Sequence, residues 1–124
     1  MTLPYRQLAV WQRSQALAVS LMQESKRGNW ESFLRDQICR AAFSVPANIA
    51  EGNGRSTPLD YAGFIDRARG SLYELDSWLD ACQRLGLLSS QRCDDLATEV
   101  SELSAMLFAL GRSLRQKRSL ESRG

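Results

Sequence analysis

No histidine occurs among the 124 residues of the chain. Histidine is the side chain whose ordinary pKa lies closest to neutrality, so its absence removes the commonest general base and a frequent metal ligand. The three cysteines, Cys39, Cys82 and Cys93, lack a CxxC spacing, and a zinc site would therefore have to rely on carboxylates. The sequence thus predicts a protein that is not an enzyme, with no catalytic residue, no metal site and no cofactor.

Long apolar runs are also missing. No segment approaches the roughly 20 apolar residues that a membrane span needs. The first residues do not combine a basic region with an apolar core, so a secretory signal is not expected. An odd number of cysteines does not make a disulfide framework. Together these absences predict a cytoplasmic protein with no membrane association.

Net charge is small, but it is unevenly distributed. The chain carries +2 overall, whereas residues 112–124 hold five basic residues against one glutamate, a net charge of +4, so residues 1–111 carry −2. The candidate nucleic-acid-binding residues are Arg112, Arg115, Lys117 and Arg118. Cations at a helix C-terminus also complement the helix dipole, and a basic tail is often only solvated.

Four amphipathic segments account for most of the chain. They cover about residues 6–26, 31–52, 58–85 and 90–114, and the last two repeat apolar residues at alternating spacings of four and three. Thr57 and Ser89 or Ser90 are predicted N-caps, Gly28 a left-handed C-terminal residue, and Asn29 a further N-cap. We predict an all-α, antiparallel up-down-up-down four-helix bundle over residues 1–115, with a basic, flexible tail over residues 116–124.

The second segment contains a proline in its interior. Pro46 removes a backbone donor and crowds the carbonyl group of Ala42, so a kink in the second helix is expected. Polar residues are expected around Pro46. Some are close to it in sequence, and others belong to the third helix, which is expected to pack beside the second. This predicted polar cluster comprises Arg40, Asn48, Glu51, Arg55, Ser71 and Glu74. Its preferred interpretation is a structural network that satisfies the backbone around the proline, and the alternative is a ligand or nucleic-acid site.

Glycines and aromatic residues suggest close contacts. Gly63 and Gly70 lie inside the third segment, where each costs about 1 kcal/mol relative to alanine. Such glycines suggest close helix packing, either within the bundle or between subunits. The chain also has more large aromatic residues than one narrow seam needs, which indicates either a wide core or an interface.

Three blocks of sequence resemble a known family. They are residues 37–55, which run from Gln37 through Asn48-Ile49-Ala50-Glu51-Gly52 to Arg55, residues 68–75 with Gly-Ser-Leu-Tyr-Glu-Leu, and residues 8–12. Together they are similar to the bacterial four-helix-bundle family linked to intervening sequences in 23S ribosomal RNA genes, whose members are often labelled ribosomal. The resemblance implies the same fold and a homopentamer. It also implies a relationship to accessory proteins of diversity-generating retroelements, which bind nucleic acid and a reverse transcriptase.

Three hypotheses follow from these observations. The first is a non-enzymatic, oligomeric module that binds RNA or DNA weakly, without sequence preference, through repeated basic faces. The second is a protein-interaction scaffold or adaptor in which the basic residues have no nucleic-acid role. The third, an enzyme or metal protein, has the least support from the sequence.

Overall fold

The computed structural model describes the backbone of residues 1–123 and the side chains of residues 1–117. A short 3-10 helix, Pro4–Gln7, precedes four long helices: α1 (Ala9–Arg27), α2 (Ser32–Asn53), α3 (Pro58–Arg84) and α4 (Ser90–Arg123). Within the described backbone there is no strand. The predicted all-α, four-helix class is therefore confirmed.

Neighbouring helices pack in chain order. α2 packs extensively on α3 and α3 on α4, α1 contacts α2, and α1 and α4 share the sparsest of the seams. Residue pairs across the α2–α3 seam run in opposite chain order, from Arg40 with Glu74 to Ser44 with Ser71. Two ion pairs between α1 and α4 follow the same order. Antiparallel neighbours give this order, and the up-down-up-down arrangement of the whole bundle stays a prediction.

The core lies along the apolar seams that the sequence predicts. The largest fully buried apolar side chains are those of Leu21, Ile38, Ile49, Ile65, Leu72, Leu75, Leu103 and Leu107. Full burial of one such side chain contributes about 1.5–3 kcal/mol, so the four-and-three spacing in α3 and α4 supplies much of the stability. Burial of these seams fixes which residues of α3 and α4 face outward.

Two of the four predicted turn features are correct. The Thr57 hydroxyl accepts a hydrogen bond from the backbone N–H of Asp60 at 3.1 Å, and Ser89 Oγ accepts one from the N–H of Arg92 at 3.1 Å. The left-handed residue after α1 is Asn29, with φ +49°, and the prediction for Gly28 was wrong. Gly28 is instead required by close approach, because a Cβ there would lie 2.6 Å from Trp30 Nε1.

Asn29 is also not the N-cap of α2. The residue before the helix is Glu31, whose side chain makes no capping hydrogen bond. Asn29 is occupied by the preceding turn, where its left-handed backbone lets the chain reverse after α1. The N-cap was therefore predicted two residues too early, because Asn29 forms the turn after α1 and does not cap α2.

α2 continues through Pro46, which is buried in the core. The kink itself stays a prediction. α4 runs past residue 115 to Arg123, so residues 116–123 continue that helix, and the proposed domain boundary and the flexibility of the tail also stay predictions. None of the described helices combines the length and apolar character needed to cross a bilayer.

The glycines inside α3 do not serve packing within the chain. A Cβ added at Gly63 or Gly70 would meet nothing within 4 Å. Both glycines are exposed. The part of the prediction that placed them at a close approach inside the bundle was wrong, because the helix turns these positions away from α2 and α4.

Candidate functional site

The basic residues predicted to bind nucleic acid project from the C-terminal half of α4. Arg112 and Lys117 are exposed. Arg115 donates a hydrogen bond from Nη2 to a carboxylate oxygen of Asp66, which joins α4 to α3. The side chain of Arg118 lies outside the described residues. Arg115 is thus partly neutralised, while Arg112 and Lys117 form no ion pair with a carboxylate of the described side chains.

An arginine–aromatic cluster lies beside these cations. The guanidinium carbon of Arg69 lies 5.6 Å from the ring centroid of Tyr73 and 5.2 Å from that of Phe108. Both rings are unusually open for large aromatic side chains, with exposed fractions of 60% for Tyr73 and 55% for Phe108. Arg69 Nη2 donates a long hydrogen bond of 3.3 Å to Tyr73 Oη. Among the described side chains, Arg69 Nε is the one buried polar atom without a partner.

This cluster borders an open groove between α3 and α4, here called the α3–α4 groove. One part of it, of about 430 Å³, is lined by Asp66, Arg69, Leu107, Phe108, Gly111, Arg112, Arg115 and Gln116. A second part, of about 550 Å³, begins at Arg69 and Phe108 and runs past Tyr73, Asp76, Ser101 and Ser104. Most of the charged residues line the first part, and Asp76 is the acidic residue that lines the second.

The predicted polar cluster divides into separate contacts. At one level of the α2–α3 seam, Arg40 Nη2 donates to Glu74, which also accepts a hydrogen bond from Trp78 Nε1 at 3.3 Å. These donors, Arg40 first and Trp78 second, hold the pKa of Glu74 below its usual value. Arg55 pairs with Glu51 within one turn of helix, at 3.3 Å. The two carboxylates thus have different arginine partners.

Asn48 and Ser71 meet through a residue outside the predicted set. The Asn48 amide donates to the carbonyl oxygen of Ser44 at 2.8 Å and to Ser44 Oγ at 3.1 Å. Ser44 Oγ in turn lies 2.8 Å from Ser71 Oγ across the α2–α3 seam. The amide and both hydroxyls are therefore used in joining the two helices.

The α1–α4 seam is held by ion pairs that sequence reasoning missed. Arg13 donates to both carboxylate oxygens of Glu99, at 3.0 and 2.9 Å, and also pairs with Glu102. These carboxylates raise the pKa of Arg13 further above its ordinary value. Arg92 Nε donates to Glu24 at 2.7 Å. The partners are 68 or more residues apart in sequence, so no local spacing signals them.

The cysteines give no sign of a reactive site. All three are free thiols, and burial raises the pKa of Cys82 to about 11, with the neighbouring Cys93 adding to the effect. A thiol with so high a pKa is protonated and unreactive near neutrality. In the part of the chain with described side chains, no three His, Cys, Asp or Glu residues are grouped closely enough to hold a metal ion.

One solved structure shows that this fold occurs elsewhere. It is a protein of unknown function from the S23 ribosomal protein family of Bacteroides thetaiotaomicron VPI-5482, which matches with a TM-score of 0.76 and 20% sequence identity. The match covers 82% of this chain and 97% of the other, and it establishes a similar fold. No curated protein matches the chain.

The sequence itself also matches a family. The model of the 23S rRNA-intervening sequence protein family matches residues 6–109, which include α1, α2 and α3 and more than half of α4. The residues Arg112, Arg115 and Lys117 lie beyond this match, whereas Arg69, Tyr73 and Phe108 lie within it. The chain belongs to the 23S rRNA-intervening sequence protein family.

Proposed function

We propose that this chain is a non-enzymatic, oligomeric helical module that binds RNA or DNA weakly and without sequence preference. The single observation that carries the proposal is the exposure of Arg112 and Lys117 in the C-terminal half of α4, where Arg112 lines the same groove as Arg69. Their charge is not cancelled by the described carboxylates, in contrast to that of Arg13 or Arg92. Phosphate groups attract such cations without regard to base sequence.

Oligomerisation strengthens this proposal. One chain offers only a few cations, which gives a modest attraction for a phosphate backbone. Several copies on one strand raise the effective concentration of each further contact, so an assembly binds far better than its subunit. Exposed apolar side chains away from the α3–α4 groove, such as Val19 on α1 and Leu59 on α3, offer contacts between copies.

The proposal is tested with a pair of matched charge variants. Arg112→Gln with Lys117→Gln removes one arginine and one lysine near the end of α4. The control, Lys26→Gln with Arg27→Gln, removes the same charges from exposed positions at the end of α1. The opposite chain order of α1 and α4 places these positions at opposite ends of the bundle. Fluorescence anisotropy with labelled RNA at low salt measures the affinity of each.

The α4 variant is expected to bind RNA more weakly and with a shallower dependence on salt, while the α1 variant keeps wild-type behaviour. Equal losses in both variants would show that only overall charge matters. No binding by the wild-type protein at low salt would overturn the proposal.

A scaffold that binds a protein partner is the second candidate function. The exposed Phe33, which packs edge-on against Trp78 with ring centroids 5.9 Å apart, favours it. Under this alternative, Arg112→Gln with Lys117→Gln leaves the capture of a partner unchanged, whereas Phe33→Ser abolishes it. Pull-down with both variants separates the two functions.

A further inference from the structure

We propose that the α3–α4 groove binds single-stranded nucleic acid, with bases stacked on Tyr73 and Phe108 and phosphates held by Arg69 and Arg112. This inference rests on the proposed nucleic-acid function and names the form of nucleic acid and the site. The principal contacts with the strand are those of the arginine–aromatic cluster, and the cations near the end of α4 add electrostatic attraction.

The exposed rings are the first support. Tyr73 on α3 and Phe108 on α4 flank the groove, and more than half of each side chain is open to solvent. Aromatic rings exposed beside cations are the usual stacking surfaces for unpaired bases. Bases in a duplex are already stacked and paired, so such rings select single strands.

Arg69 is the second support. Its guanidinium group lies against both rings, which holds Tyr73 and Phe108 as one unit across the groove. Its Nε–H is buried without an acceptor, and a buried donor in that state is unfavourable. A phosphate or base oxygen in the groove supplies that acceptor once the side chain turns toward it.

The charge gradient along the groove is the third support. Arg112 and Arg115 line the part next to Phe108, and Asp66, which also lines it, is paired with Arg115. The carboxylate among the residues that line the far part is that of Asp76. The first part is therefore more positive than the second, and phosphates are attracted to it more strongly. The strand is therefore placed over Phe108 and toward the C-terminal end of α4, beside Arg112.

A second copy of this chain is the competing occupant. The cores of protein interfaces are depleted of charged residues, which disfavours a copy seated over Arg69 and Arg112. A two-fold contact would in addition place like charges opposite each other, which opposes association. In a ring of copies the groove would instead meet a different surface of its neighbour, and there only the first argument applies. The charge of the groove therefore favours an anionic strand, and the test reports the other occupant directly.

The test compares full-length wild type with Tyr73→Leu/Phe108→Leu, which keeps apolar volume but removes both rings. Phe33→Leu is the matched control, since Phe33 is 65% exposed and contacts Trp78 on another side of the bundle. Anisotropy is measured with labelled oligo-uridine and with a duplex RNA of equal length. The double variant is expected to lose at least about tenfold in affinity for oligo-uridine, with duplex binding unchanged. The control keeps wild-type affinity for both.

Three outcomes overturn the inference. If wild type binds and the double variant binds oligo-uridine equally well, the groove is not the site, although the proposed function stands. If wild type binds neither RNA at low salt, the proposed function fails as well. If light scattering shows that the double variant has lost subunits, a second copy occupies the groove.

Crosslinking gives a second readout that needs no variant. Oligo-uridine carrying 5-iodouracil is irradiated with the wild-type protein, and the modified peptides are identified by mass spectrometry. Attachment at Tyr73 or Phe108 is expected, because the halogenated base reacts with an aromatic ring on which it stacks. Attachment confined to other aromatic residues, such as Phe33 or Trp78, contradicts the proposed site.

Discussion

Ser44 Oγ lies 2.8 Å from Ser71 Oγ, which links α2 to α3 at a point two residues before Pro46. The same Ser44 hydroxyl receives a hydrogen bond from the Asn48 amide at 3.1 Å. One hydroxyl thus has a partner on its own helix and another on the neighbouring helix. Two residues of the predicted polar cluster, Asn48 and Ser71, are thus coupled through Ser44.

The first prediction measures this coupling. Ser71→Ala removes the hydrogen bond between the two hydroxyls, and Asn48→Ala removes the two hydrogen bonds from the amide to Ser44. Each variant is expected to cost about 1 kcal/mol of unfolding free energy. The double variant should differ from the sum of the single variants by at least about 0.5 kcal/mol, because both partners use the same hydroxyl. Urea denaturation measures the three values, with exposed Ser77→Ala as a neutral control. Strict additivity would show that the three residues do not act as one network.

The second prediction separates two glycines that look alike in sequence. A Cβ at Gly52 would lie 2.7 Å from Phe64 Cβ and 2.9 Å from Tyr61 Cδ1, whereas one at Gly63 meets nothing within 4 Å. Gly52→Ala should therefore destabilise the fold by about 1–3 kcal/mol through overpacking. Gly63→Ala should stabilise it by about 0.5–1 kcal/mol through helix propensity. Thermal melts of both variants check the signs, and destabilisation of the same size in each would contradict the packing described at Gly52.

The third prediction concerns the ion pairs between α1 and α4. Arg92 and Glu24 are mostly shielded from solvent, whereas Arg84 and Asp80 form an ion pair at the surface with exposed fractions of 80% and 60%. Arg92→Gln should cost about 1–2 kcal/mol and speed amide hydrogen exchange in α1, while Arg84→Gln should cost less than about 0.5 kcal/mol. Hydrogen exchange of the two variants tests this contrast. Equal protection of α1 in both would mean that the seam does not depend on Arg92.

The fourth prediction concerns the pH dependence of stability at Cys82. Burial raises its pKa from 9.0 to about 11, so the folded state holds the thiol proton more tightly than the unfolded state does. The resulting stability is complete below about pH 9 and is lost as pH rises toward 11. Cys82→Ala should remove this loss, so its unfolding free energy should fall less steeply between these pH values. Parallel slopes for the variant and the wild type would contradict a buried, protonated Cys82.

Much of the fold was predictable because it is encoded by local periodicity. The spacing from Ile65 to Leu79 marks one face of α3, and burial follows that face residue by residue. Thr57 was recognisable as a cap because the capping bond joins residues three apart. Turn details were less predictable, because Gly28 is needed where the chain passes close to Trp30, and Asn29 takes the left-handed backbone in its place.

The candidate site was only partly predictable. Arg112, Arg115 and Lys117 stand out by charge alone, and Arg69 with Tyr73 has the spacing of neighbours on one helical face. Phe108 joins that pair from α4, 35 or more residues away, and nothing local in the sequence signals the contact. Asp66, which is also far away in sequence, pairs with Arg115 and weakens its predicted contribution. Contacts between residues far apart in sequence depend on the register of one helix against another, which a single sequence does not reveal.

The fifth prediction is the most direct test of the central claim that the protein works by binding nucleic acid. Light scattering of the wild-type protein is recorded with and without a labelled RNA at about 50 mM and about 300 mM salt, together with anisotropy of the RNA. The expected result is an oligomer that binds RNA at the lower salt concentration and releases most of it at the higher one. An oligomer that leaves RNA unbound at 50 mM salt would contradict the claim.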